Sequence, residues 1–118
     1  MKIAEAAARS GLSIDTIRFY ERSGLLPPIA RGADGMRRFS PETVDWLRLL
    51  ASLRETGMEL RAMRRFAELY RQGDATIPER RRILQDHAAS LNGRRAALDR
   101  CAALLAHKLQ RYCEIEGG

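Results

Sequence analysis

The sequence has no long apolar segment. Nowhere in its 118 residues is there an uninterrupted apolar run of about eighteen residues, the length that a membrane-spanning helix requires. The first six residues also lack the apolar core of a secretory signal peptide. These absences predict a soluble protein that remains in the cytoplasm and does not interact with a membrane.

Cysteine is scarce. Only Cys101 and Cys113 occur, twelve positions apart in one continuous helical pattern. That separation is about 18 Å along a helix, which is too far for a disulfide within the chain. Thiols in this arrangement favour a reducing compartment.

Residue patterns that carry chemistry are also missing. The sequence has no glycine-rich phosphate loop, no carboxylate pair with catalytic spacing and no nucleophilic arrangement of cysteine and histidine. The two histidines, His87 and His107, lie on one predicted helix without a partner at ligand spacing. We therefore expect no enzymatic activity, no catalytic residues, no metal site and no cofactor.

Positive charge, by contrast, is plentiful. The chain has 21 basic and 15 acidic residues, a formal net charge of +6, and all of its basic residues except Lys2 and Lys108 are arginines. This surplus is typical of a protein that meets a polyanion. The length allows one modest domain and an extension. Composition therefore favours a small nucleic-acid-binding protein.

A short helix is predicted between Ser13 and Gly24, because serine is a preferred N-cap and glycine a preferred terminator. Within it, Arg18 and Arg22 lie four positions apart and form a cationic stripe. A preceding helix over residues 2–10 is joined to it by a short turn at Gly11. This is the outline of a helix-turn-helix motif, whose second helix enters a DNA major groove.

A hairpin, or wing, is predicted next. Pro27 and Pro28 exclude helix, and the turn at Asp34-Gly35 separates strand candidates over residues 29–31 and 36–39. An arginine-rich hairpin beside a helix-turn-helix motif is well placed to contact phosphates or a minor groove. Its arginines are Arg31, Arg37 and Arg38.

Two more helices complete the predicted small domain, which we assign to residues 1–73. Ser40 and Pro41 open the first helix, and its apolar residues occupy more than one face up to Gly57. A second apolar stripe recurs at helical spacing from Leu60 to Gly73. These stripes predict a hydrophobic core.

The remaining segment, residues 76–116, predicts one long helix. Thr76 and Glu79 fit a capping box, and Gly93 is tolerable within a long helix. A helix of about 38 residues spans about 57 Å, more than the small domain could cover, so a second copy must bury its apolar stripe. We therefore expect a homodimer joined by a coiled coil. The heptad positions in this stripe are Leu84, Leu91, Leu98, Leu105 and Tyr112.

With these elements in place, the sequence resembles the MerR-type transcription regulators. The matching motifs are TIRFYERSGLLP over residues 16–27, RRFS over 37–40 and LRETGMEL over 53–60. The resemblance implies a mainly α fold, in which a winged helix-turn-helix domain precedes a dimerisation helix that forms an antiparallel coiled coil. It also implies a homodimer that binds double-stranded promoter DNA and distorts it so that RNA polymerase can align with both promoter elements. By matching positions, the implied DNA-contacting residues are Arg18, Tyr20 and Arg37, with Ser13, Thr16 and Arg38 as further candidates.

The same resemblance indicates which residues could sense a metal or a chemical signal. Metal-responsive members carry a cysteine at the start of the dimerisation helix and a cysteine pair at its end, whereas here the start is Ala75-Thr76-Ile77 and the end offers only Cys113. The spacing is closest to a short subgroup linked to aldehyde and electrophile stress. Cys113 is our candidate sensor, with a passive surface thiol or a non-covalent small-molecule effector as the alternatives. Cys101 is expected to be a small core residue.

The sequence is also compatible with a protein of another functional class. A coiled-coil adaptor could use the basic face on an acidic protein partner, although it would have no use for the wing. Salt-dependent binding that also discriminates a target sequence from bulk DNA would separate a regulator from an adaptor.

Overall fold

The computed structural model describes residues 1–117 and is mainly helical. Its elements are α1 (Ile3–Ser10), α2 (Ile14–Arg22), β1 (Ala30–Arg31), β2 (Arg37–Arg38), α3 (Pro41–Glu55), α4 (Leu60–Arg71), a 3-10 turn (Asp74–Thr76) and α5 (Ile77–Gly117). This order confirms the predicted winged helix-turn-helix followed by a long helix. No helix in the described part of the chain combines the length and apolar character needed to cross a bilayer.

The structure divides into two compact units, the first ending at Ile83 and the second starting at Leu84. The division falls later than residue 73, where we predicted the end of the first domain. The reason is that the first turns of α5 contact α4: the Arg65 guanidinium lies 3.0 Å from the Glu79 carboxylate, and the Arg80 guanidinium lies 5.4 Å from the centre of the Tyr70 ring.

The turn between α1 and α2 forms for local reasons. Gly11 ends α1 with a φ of 79°, a left-handed conformation that glycine adopts without steric cost. Ser13 then caps α2, because its Oγ accepts the Thr16 N–H at 3.1 Å. Such a cap contributes about 1 kcal/mol to helix stability.

The core of the first unit lies where α2, α3 and α4 meet the segment after α2. Ser40 caps α3 by accepting the Thr43 N–H at 3.1 Å, with Pro41 at the first helical position. Burying one large apolar side chain contributes roughly 1.5–3 kcal/mol, so this cluster is the main source of stability. Its largest fully buried side chains are Ile17, Tyr20, Leu25, Phe39, Leu47, Leu50, Met63 and Leu69.

The wing is a two-stranded antiparallel hairpin. Within its turn, the Asp34 carboxylate accepts the Met36 N–H at 3.0 Å, and Gly35 takes a φ of 77°. The chain after the wing is tied to the first residue, since Phe39 N–H donates to Met1 O at 2.7 Å and the Met1 amino group donates to Phe39 O at 2.8 Å. The wing therefore stands beside the start of α1. Its paired residues are Ala30 with Arg38 and Arg31 with Arg37.

The capping box predicted at Thr76 and Glu79 is wrong, although α5 begins where expected. The Thr76 hydroxyl shares its one hydrogen between Leu69 O at 2.6 Å and Gly73 O at 2.7 Å, and the Thr76 N–H donates to Gly73 O. The Glu79 carboxylate binds Arg65 instead of the backbone. The 3-10 turn thus leads into α5 through contacts with the end of α4.

The second unit, described from Leu84 to Gly117, is a single stretch of α5. Its large apolar residues are exposed to an unusual degree, and Leu98 and Leu104 are 70% and 71% accessible. Further large exposed residues on this stretch are Leu105, Leu109, Tyr112 and Ile115. Large apolar side chains exposed together on one helix are typical of an interaction surface.

Candidate nucleic-acid interface

The outer face of α2 is polar and charged. Asp15, Arg18 and Arg22 are exposed, whereas Ile17 and Tyr20 are turned into the core. This arrangement agrees with the predicted cationic stripe, since residues three and four positions apart share one helix face. Of the six DNA-contact candidates, Arg18 is the one on this face whose charge has no carboxylate partner among residues 1–117.

Tyr20 differs from the other candidates in its burial. Its side chain is 1% exposed and packs in the core, with the Arg54 guanidinium 6.0 Å from the ring centre and the Phe19 ring beside it. Only the edge of the side chain reaches the surface, beside Thr16 and Arg54. We therefore expect Tyr20 to act mainly by packing against the inner side of α2.

Ser13 and Thr16 lie together at the start of α2. The Ser13 hydroxyl accepts the Thr16 N–H and donates to Thr16 Oγ1 at 2.9 Å. Both side chains are thus engaged with each other, while Ser13 is exposed and Thr16 half-buried. Their first role in this chain is to cap the helix.

In the wing, Arg37 is paired with α2. Its Nε donates to Glu21 Oε2 at 2.8 Å, and its second nitrogen lies 2.6 Å from Glu21 Oε1. This two-point geometry fixes both the distance and the orientation of the two groups. The pair therefore holds β2 against α2 and neutralises the charge of Arg37.

Arg38 is paired within the wing itself. Its guanidinium lies 3.0 Å from Asp34 Oδ2. The Met36 N–H and then the Arg38 side chain hold the pKa of Asp34 below its ordinary value, because both interactions favour the charged carboxylate. Asp34 thus orders the turn and restrains Arg38 at the same time.

Lys2, which the sequence did not single out, and Arg31 of the wing belong to the same surface. A cavity of about 200 Å³ opens between the start of α1, α2 and the wing, and Lys2 and Arg31 line it together with Arg18 and Arg37. We call this cavity the basic recess. Lys2 is the N-cap residue of α1, so in the sequence only its positive charge could have indicated it.

The end of α2 is held by side chains from α3 and α4. Trp46 Nε1 donates to Leu25 O at 2.8 Å, and Arg64 Nε donates to Ser23 O at 3.3 Å. Arg71 donates to the carbonyl oxygens of Gly24 and Leu26. All three donors bind backbone oxygens, so they fix the position of α2 without engaging its exposed side chains.

The predicted dimerisation residues lie along α5. Leu84 and Leu91 are half-buried, whereas Leu98, Leu105 and Tyr112 are at least half exposed. Cys113 and Cys101 are both free, exposed thiols, so burial of Cys101 as a core residue would require a second chain. Among residues 1–117, no three histidine, cysteine, aspartate or glutamate side chains are grouped so that they could hold a metal ion.

Comparison with known proteins agrees with this geometry. The profile of the MerR HTH family regulatory proteins matches residues 1–69, and a second profile, described as MerR, DNA binding, matches residues 44–108. An uncharacterized HTH-type transcriptional regulator of Haemophilus influenzae is 41% identical over 109 residues, which cover 92% of this chain and 81% of that protein.

Two solved structures share the fold. HiNmlR, described as a MerR family regulator that lacks the sensor domain and is bound to promoter DNA, has a TM-score of 0.86 and 39% identity, covering 98% of this chain and 92% of its own. A MerR family regulator from Listeria monocytogenes has a TM-score of 0.86 and 34% identity, covering 95% and 85%. The profiles, the relative and the shared fold together show that this chain belongs to the MerR family of helix-turn-helix regulatory proteins.

Proposed function

We propose that this chain is a transcription regulator that binds double-stranded promoter DNA as a homodimer. Each α2 enters a major groove, and each wing lies on the adjacent backbone. The observation that carries the proposal is the exposed Arg18–Arg22 stripe beside an arginine-rich wing, in a chain whose fold matches that of the promoter-bound HiNmlR. The net charge of +6 favours the same partner.

The residues divide by role. Arg18 contacts base edges, since it is exposed on α2 and its charge is unpaired in the described chain. Arg38 contacts the phosphate backbone from the wing, where Asp34 restrains it. Arg37 positions the wing through Glu21, and Ser13 and Thr16 present their polar groups at the start of α2.

Dimerisation occurs through α5, which pairs with the α5 of a second chain in an antiparallel coiled coil. The support is the heptad row together with the exposure of Leu98, Leu105 and Tyr112. Covering each of these side chains stabilises the dimer by up to roughly 1.5–3 kcal/mol.

The bound dimer distorts the promoter and so changes how RNA polymerase engages it. Such bending depends on the separation of the two α2 helices, and a signal that moves α5 relative to the DNA-binding unit would alter that separation. We assign the signal to a small molecule or a stress chemical, with Cys113 as the candidate sensor. The relatives are bacterial, and bacterial promoters lie in the cytoplasm, where we expect this protein to act.

The test begins with duplexes that the wild-type chain selects from a random-sequence pool. We expect enrichment of a two-fold symmetric site and affinity that falls steeply with salt. Arg18→Ala should weaken binding to that site by about 1–3 kcal/mol and alter base preference. Arg61→Ala, which removes an exposed arginine from α4, is the control. If no sequence is enriched while salt-dependent binding to any polyanion persists, the chain is an adaptor and not a regulator.

A further inference from the structure

The first turn of α5 is fixed against the end of α4 by one arginine. Arg80 Nε donates to Thr76 Oγ1 at 3.0 Å, and a terminal nitrogen of Arg80 donates to Gly73 O at 3.1 Å. The Arg80 guanidinium also lies 5.4 Å from the centre of the Tyr70 ring, within the range of a cation–π interaction. Arg80 therefore joins α5, the 3-10 turn and α4 at a single point.

From Tyr70, contacts continue without interruption to α2. The centre of the Tyr70 ring lies 4.7 Å from that of Trp46 on α3, and Trp46 Nε1 donates to Leu25 O at 2.8 Å. Leu25 is fully buried, and its own N–H donates at 2.9 Å to Tyr20 O in the last turn of α2. We call Arg80, Tyr70 and Trp46 the aromatic bridge, because these three side chains connect the first turn of α5 with α2.

We propose that the aromatic bridge sets how strongly the bound dimer distorts its operator. Distortion depends on the positions of the two α2 helices, and the bridge ties each α2 to the helix through which the two chains pair. Its members are positioning residues, since they act on DNA through α2. The proposal rests on the proposed DNA-binding function and names the residues that control one step of it.

Packing of the hydrophobic core alone does not account for the bridge. Tyr70 is 46% exposed, whereas Met63 on the same helix is fully buried, so the Tyr70 ring adds little to the core. Trp46 is half-buried and stacks on Phe66, with ring centres 5.3 Å apart and planes 12° apart. A stacked indole whose N–H is bonded is held in one orientation, so it passes a displacement of Tyr70 on to Leu25.

A second contact between α4 and the first turn of α5 is weaker. The Arg65 guanidinium lies 3.0 Å from the Glu79 carboxylate, but these side chains are 49% and 47% exposed. Water and salt screen such a pair, which therefore contributes little. The half-buried Arg80 side chain is less accessible to this screening. Glu79→Gln, which breaks the exposed pair alone, is thus a control for variants of the bridge.

The test separates DNA distortion from DNA affinity. The selected duplex carries a fluorescent donor and acceptor at its two ends, and energy transfer between them reports bending when the protein binds. Arg80→Gln removes the guanidinium, and Arg81→Gln is its matched control, because Arg81 is the adjacent exposed arginine and makes none of these contacts within residues 1–117. Tyr70→Leu keeps an apolar side chain but removes the ring face, which the control Tyr70→Phe retains.

We expect Arg80→Gln and Tyr70→Leu each to reduce the change in energy transfer to about half of the wild-type value or less, because α2 then settles on a less bent duplex. Affinity should stay within about threefold of wild type or increase, since bending opposes binding. The double variant should bend the duplex as much as either single variant, because both residues act along one path. Arg81→Gln, Glu79→Gln and Tyr70→Phe should bend it as the wild type does.

Other results would overturn the proposal. Full bending by Arg80→Gln and Tyr70→Leu would show that the bridge does not control distortion. A parallel loss of bending, affinity and thermal stability would make these side chains ordinary packing residues, and an equal loss of bending in Arg81→Gln would assign the effect to charge. A wild type that binds the selected duplex without bending it would refute the bridge but leave DNA binding intact. A wild type that selects no duplex would refute the proposed function itself.

Discussion

The contact between the wing and α2 depends on one ion pair, Arg37 with Glu21, and its strength can be measured. The two side chains are 35% and 29% exposed and meet at two points, at 2.6 and 2.8 Å. The chain offers a matched control in Arg9 and Glu5, a pair 2.9 Å apart within α1 whose side chains are 54% and 51% exposed.

We expect a double-mutant cycle of Glu21→Gln and Arg37→Gln to give a coupling energy of about 1–2 kcal/mol, because solvent screening of a pair about one third exposed lowers the roughly 1.5–3 kcal/mol of a hydrogen bond to a charged group. The Glu5–Arg9 cycle should give about 0.3–0.5 kcal/mol, the usual value for an exposed pair one helical turn apart. Urea unfolding followed by circular dichroism at fixed protein concentration provides the free energies of unfolding.

DNA binding then separates positioning by Arg37 from direct phosphate contact. If Arg37 positions the wing, Glu21→Gln and Arg37→Gln weaken operator binding to a similar degree, and the double variant binds the operator no more weakly than either single variant. If Arg37 binds phosphate directly, Arg37→Gln alone weakens operator binding. Glu21→Gln, which removes a competing carboxylate, then leaves operator affinity unchanged or raises it. A coupling energy no larger than that of Glu5–Arg9 would refute the idea that this pair holds the wing.

The other predictions follow from burial, heptad position and titration. Tyr20→Phe should leave operator affinity unchanged, whereas Tyr20→Ala should lower the free energy of unfolding by roughly 3–5 kcal/mol through a core cavity. Leu98→Asp with Leu105→Asp should give monomers in sedimentation velocity, and a dimer that survives would contradict the proposed coiled coil. Because the pKa of Asp34 is lowered from 3.8, its stabilising effect is present above that value and is lost as pH falls through the lower folded pKa. With Asp34→Asn, the free energy of unfolding should therefore decrease less as the pH is lowered below about 4. An unchanged pH dependence would exclude a stabilising role for the Asp34 carboxylate. Cys113→Ser should abolish promoter activation by an electrophile if this thiol is the sensor, and an undiminished response would favour a non-covalent effector.

Local signals predicted much of this fold from the sequence alone. Ser13 and Ser40 cap helices that begin at the next residue, because capping depends on atoms only three positions apart. The turn at Asp34-Gly35 was predictable for the same reason. The stripe of Arg18 and Arg22 followed from helical spacing, which also assigned Ile17 to the core.

Contacts between distant residues were not predictable in this way. Tyr20 resembles a DNA contact in its motif, but its burial depends on residues such as Arg54 that approach it from another helix. The Arg37–Glu21 pair joins residues sixteen positions apart, and no periodicity relates them. The sequence around Thr76 fits a capping box, but the Thr76 hydroxyl instead donates to the carbonyl oxygen of Leu69 near the end of α4.

The contacts that anchor α2 to the rest of the domain do not involve the side chains on its outer face. Trp46, Arg64 and Arg71 bind carbonyl oxygens of residues 23–26, directly after the helix, and every residue type supplies such an oxygen. Substitutions on the outer face of α2 therefore leave its anchorage unchanged. Duplicated copies of this gene could acquire new target sequences through changes at a few outward positions such as Arg18 and Arg22, with no compensating change elsewhere in the scaffold.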